Sequence, residues 1–153
     1  MSTLYSILKF LHVSAVIVWL GAMITLAVVF ARLARERESG AMQLLARQSE
    51  FVGRTLIGPA AGVTLLAGGA LVWQMGIGMP AWTWWGLIGF VVSVALGAGV
   101  MQRAGRKLAS VAASPNPDAA VMDGLQRRLR TLGIINIVIL LSVVWAMVAK
   151  PTF

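Results

Sequence analysis

No cysteine occurs anywhere in this chain of 153 residues, so disulfides, thiolate metal sites and thiol catalysis are excluded. Charge is scarce as well: only 12% of residues are Asp, Glu, Lys or Arg, against roughly 25% in soluble domains. Five residues are acidic, and none of the long apolar segments contains one. A proton pump or cation antiporter normally takes up its ion on a buried carboxylate, so transport of that kind is disfavoured. The sequence has no Ser–His–acid set, no carboxylate pair, no glycine loop leading to a phosphate-binding lysine and no nucleic-acid module.

What is abundant is apolar. Hydrophobic residues make up 59% of the chain, more than a soluble core of this size can hide. The runs at 4–31, 55–76, 82–102 and 131–149 are each long enough to cross a bilayer as a helix. The first is interrupted only by Lys9 and His12, and the last ends at Lys150-Pro151, where proline stops a helix. The expectation is a single domain of the all-α class, a polytopic membrane protein built as a bundle of four transmembrane helices.

The basic residues set the orientation. Thirteen Lys and Arg give a net charge of +8, and they cluster beside the apolar runs. Arg32, Arg35, Arg37, Arg47 and Arg54 lie between the first two runs; Arg103, Arg106, Lys107, Arg127, Arg128 and Arg130 lie between the last two. The connection between the second and third runs has none. By the positive-inside rule the two basic connections face the cytoplasm and both termini face out. This arrangement points to lipid headgroups rather than nucleic acid as counterions. Lys9 and Lys150 reach outward by snorkelling. The N-terminus lacks a cleavable signal, so the first run reads as a retained span.

The connections also carry local signals. Met42, Leu45, Ser49, Val52 and Leu56 share one helical face, with Glu50 and Arg54 paired at i,i+4, so the second span begins as a helix before the hydrocarbon. Residues 114–118 read as a loop with a helix start near Asp118. The uncharged Gly76 to Pro80 turn predicts that the second and third spans form an antiparallel hairpin. Gly58 and Gly62 have the GxxxG spacing of a helix-packing face, while Gly68-Gly69 would give clearance to a neighbouring helix or to a flat ligand. Trp73, Trp82, Trp84, Trp85 and Trp145 fall at the outer ends of their helices, as an aromatic belt would.

His12 is the only histidine, about 12 Å below the outer end of its helix at 1.5 Å per residue. Three roles are open to it: a hydrogen bond across the bundle, ligation of haem or a metal, or proton transfer. Its level corresponds to Gly68 and Gly69 on the second span. A second axial ligand would come from methionine, Lys9, water or another subunit. Met75, Met79 and Met147 lie near the same ends, and thioethers with one imidazole suit Cu(I), which makes His12, Met75 and Met147 an alternative copper site. The remaining interior polar residues are mainly Thr64, Gln74, Ser93, Asn136 and Ser142.

Leu8-Lys9-Phe10-Leu11-His12-Val13, with Trp19-Leu20-Gly21, resembles the first-helix signature of a broad group of bacterial membrane proteins. That group includes the uncharacterised family known as domain of unknown function 2269, the copper resistance protein D family and the HemJ-type protoporphyrinogen oxidases. Trp145 to Pro151 resembles the Met-x-x-Lys-Pro ending of the uncharacterised family, and Arg54, Gly58-Pro59 and Gly68-Gly69 fit the second helix. The resemblance implies a four-helix protein of the bacterial inner membrane whose first-helix histidine, His12, binds haem b, with copper handling as the alternative. Arg130 and Asn136 resemble part of a HemJ-type pattern. Span four lacks Asn-Glu-x-Pro and span three lacks the Lys and His of that type, so porphyrinogen oxidation is not carried over. Association as a homodimer or within a larger membrane complex, as an accessory subunit, is the other reading.

Overall fold

The computed structural model describes residues 3–36, 39–76 and 78–150, apart from the side chains of 36, 39, 42, 43 and 46. All regular structure among them is helical: α1 (Thr3–Glu36), α2 (Ser39–Val52), α3 (Gly58–Met75), α4 (Ala81–Val94), α5 (Gln102–Ala112) and α6 (Ala119–Ala149). Wider π turns at Gly53–Ile57 and Ala95–Met101 join α2 to α3 and α4 to α5 without a break. Four of the resulting rods, Thr3–Arg35, Arg47–Met75, Ala81–Ala112 and Ala119–Ala149, are long and apolar enough to cross a membrane. The expected four-span architecture is therefore present.

Each rod runs beyond its apolar stretch at the arginine-rich end. There α2 packs on α5, and α5 on α6, as a small helical cap. Leu108 of α5, with 0% exposure, is buried in that cap rather than in the bundle. Ala104 and Leu108 lie at i,i+4 on the covered face of α5, while Arg103, Arg106 and Lys107 fall on its other sides.

The helix start at Asp118 is as expected: its Oδ1 accepts from the Ala120 and Val121 amides at 2.9 and 3.2 Å. Asp118→Ala should cost about 1 kcal/mol, seen as a lower midpoint in thermal unfolding of the detergent-solubilised protein. The Glu50–Arg54 pair is also present, at 2.8 Å. The shared face before span two is only partly as expected. Leu45, Ser49 and Val52 are half-buried but Leu56 is exposed, and the Met42 side chain lies outside the described residues. The π turn is the reason. Its wider winding delays the inward position by one residue, so Ile57 rather than Leu56 joins the core.

The predicted hairpin packing of spans two and three does not form. Although the short turn at Gly76 and Gly78, both at positive φ, joins α3 to α4, α3 packs along α1 and α4 along α6. The two pairs meet where α1 touches α6, leaving α3 and α4 barely in contact. The small side chains explain this choice. Ala60, Ala61, Thr64 and Ala67 give α3 a smooth face for α1, whereas Gly86, Gly89 and Ser93 give α4 a notched face for α6.

The notches are filled. A Cβ at Gly86 would overlap the Met147 Cε, and one at Gly89 would overlap the Val143 Cγ2. Gly62 has open space around it and is exposed, so the GxxxG spacing of α3 is not used within the chain. Between the pairs sits a core of Trp19, Met23, Ala60, Ala61 and Leu140. The Trp19 ring meets Phe90 of α4 edge-on, with centroids 5.4 Å apart.

Candidate functional site

His12 faces inward because the inner stripe of α1 recurs every three or four residues, through Leu8, His12, Ala15, Trp19 and Met23. The largest helix pairing in the bundle, α1 with α3, therefore holds the imidazole against α3. His12 Nδ1 lies 2.9 Å from the main-chain oxygen of Thr64. A carbonyl oxygen only accepts, so Nδ1 carries the proton and donates it. In the neutral ring Nε2 then has the free lone pair. A carbonyl has two lone pairs, so Thr64 can accept from His12 without leaving its helix. The Thr64 hydroxyl is engaged separately, donating to the Ala60 carbonyl at 2.8 Å.

Gly68 makes this bond possible. A Cβ there would stand 2.9 Å from His12 Cε1 and 3.0 Å from Nδ1, closer than carbon normally approaches. The clearance expected at this glycine thus receives a flat group, and that group is the imidazole itself. Gly69 is exposed with nothing near its missing side chain; it lies one helical step around α3, away from the ring.

The two methionines are placed differently. Met75 is seven residues beyond Gly68 on the same helix, about 10 Å farther along the axis. Met147 belongs to the α4–α6 seam, with its terminal methyl in the notch at Gly86. Among the described residues no group of three or more His, Cys, Asp and Glu is gathered for a metal ion. The histidine is thus the one predicted ligand whose ring is oriented by a hydrogen bond.

Among the described residues three side-chain oxygens are buried without a hydrogen-bond partner: Thr83 Oγ1, Ser93 Oγ and Asn136 Oδ1. Ser93 and Asn136 belong to the interior polar set already apparent in the sequence; Thr83 is masked there by the tryptophans that flank it. Helices α1 and α4 run in the same direction, and Trp19 meets Phe90 between them. Two turns from that contact towards the N-termini of both helices, the same step of seven residues reaches His12 on α1 and Thr83 on α4, so both stand at a similar level along the bundle. The role of the Thr64 main chain has no sequence signal, since every residue has a carbonyl.

Neither a curated protein nor a solved structure matches this chain. Residues 6–151 match the family described as predicted integral membrane protein DUF2269. With the four membrane-length helices, that match over nearly the whole sequence establishes that the chain belongs to the DUF2269 family of integral membrane proteins.

Proposed function

We propose that the protein binds haem b through His12, in a redox or haem-related role in the bacterial inner membrane. The observation that carries this reading is the Nδ1 hydrogen bond to Thr64. Histidines that ligate metals almost always donate the other ring N–H to a carbonyl or carboxylate, which fixes the tautomer and aims the free nitrogen. The donor chemistry fits an iron–imidazole bond through Nε2, while Met75 and Met147 occupy other places. We therefore expect a haem with one protein ligand per chain. When bound, the group would supply one-electron chemistry; the chain's own part is to orient the imidazole and exclude water.

Titrating haem into protein purified in mild detergent should produce a Soret band at a stoichiometry of about one per chain and a five-coordinate spectrum. A bis-histidine spectrum would require two copies of His12 around one haem. Protein that stays colourless would overturn the reading, and copper(I) titration of the same protein then tests the thioether alternative.

A second reading, an accessory subunit that packs against a partner or a second copy, is favoured by the outward placement of Gly58 and Gly62. It predicts that His12 is dispensable while Gly62→Leu weakens association.

The orientation proposed is the one the arginines dictate, with both termini outside. A phosphatase reporter that works only outside the cytoplasm should be active at Phe153 and silent near Ser114; the reverse pattern would invert the topology.

A further inference from the structure

The α4–α6 seam contains a polar site in its arginine-rich half. Its register is fixed by contacts on both sides. Towards the tryptophan-rich end, Gly89 lies against Val143 and Ile139, and the Trp85 indole donates to the Ser142 hydroxyl at 3.3 Å. Towards the other end, Gly133 lies against Met101. Between these contacts the inward positions are Ser93 on α4 and Asn136 on α6, each only 1% exposed. They face the same seam and, by the Gly89–Val143 register, stand about one helical turn apart along it. Both carry an unpartnered oxygen, Ser93 Oγ and Asn136 Oδ1.

Two such atoms about one turn apart in a hydrocarbon-embedded seam demand a partner, since lipid offers none, and one water molecule can span that gap. We propose that Ser93 and Asn136 bind an ordered internal water molecule. The chemistry suits water. It donates to the Asn136 carbonyl oxygen and exchanges a second hydrogen bond with the Ser93 hydroxyl, and the Asn136 amide offers a third polar contact. Buried waters typically make two to four such bonds. No carboxylate approaches this seam along α4 or α6, because all five acidic residues lie outside the apolar spans; a neutral ligand is therefore favoured over a cation. The wider turn starting at Ala95, two residues beyond Ser93, also loosens α4 locally, as π turns do where helices make room for a bound group.

X-ray radiolytic labelling in H2(18)O tests this, because hydroxyl radicals formed at a trapped water modify the side chains beside it. Wild-type protein in detergent should incorporate label at Ile139 and Met101, which bracket the pair. The double substitution Ser93→Ala and Asn136→Leu should remove that labelling by removing the water's partners. Should the double variant fail to insert, Ser93→Ala alone carries the test, with a fall in the same direction. Absence of label in wild type, as a dry seam with a direct Ser93–Asn136 hydrogen bond would give, overturns the proposal. So does labelling unchanged by the substitutions.

Discussion

Protein carrying His12→Ala should lose its Soret band and its haem while reaching the membrane at the wild-type level. Removing the imidazole deletes one hydrogen bond, worth about 0.5–1.5 kcal/mol. It strands no buried group, because the Thr64 carbonyl keeps its place in the helix. Alanine is also at least as well suited to a membrane-spanning helix as histidine. Insertion and binding therefore separate cleanly in this variant. Gly68→Ala is the more discriminating substitution. It leaves His12 in the chain but places a methyl 2.9 Å from Cε1 and 3.0 Å from Nδ1, so the ring must turn away from Thr64. Loss of such an orienting contact typically weakens metal affinity by about 10–100-fold. Gly69→Ala, in open space, should bind haem as wild type does. A Gly68→Ala protein with unchanged haem affinity would show that the Thr64 bond does not prepare the imidazole, and would reduce His12 to a packing residue.

The largest effect on stability is expected at Gly89. Its missing side chain is replaced by the Val143 methyl, with Ile139 close by. Leucine there cannot be accommodated by moving the tip of a flexible chain, since valine is branched at Cβ and stiff about χ1. The helices would have to separate. Overpacking costs about 1–3 kcal/mol when a core can yield, and more when backbone must move. Gly89→Leu should therefore abolish the monodisperse folded species in detergent, whereas Gly62→Leu should leave the monomer's unfolding midpoint close to wild type. Gly86→Leu should be milder, because the obstacle is the flexible end of Met147. If Gly89→Leu were as stable as Gly62→Leu, the α4–α6 seam would be wrongly assigned.

The membrane architecture is legible in the sequence because it follows from run lengths and charge placement, which act locally. The helix pairing is not. The Gly76 to Pro80 turn makes α3 and α4 consecutive and antiparallel, yet whether they touch depends on which neighbours their small-residue faces fit. Glycine spacing shows that some helix can approach without showing which one. Gly58 and Gly62 have the motif and face outward; Gly86 and Gly89 have a tighter spacing and seat a helix. The π turns are silent for a similar reason. They reset the inward face by one residue, and periodicity carried across Val52 misplaces Leu56. At the candidate site, His12 stands out as the lone ionisable group between Lys9 and Arg32. Its partner does not, because a main-chain carbonyl has no letter of its own.

The pairing of α3 with α1 and of α4 with α6 makes the bundle a two-leaved book whose spine is the α1–α6 contact. The Trp19–Phe90 contact joins one leaf to the other like a clasp. Opening such a book would break the core that lies between the leaves and the α2–α5 packing of the cap. The two leaves are therefore bound at the arginine-rich end, and any parting of α3 from α4 is confined to the end that carries the tryptophans.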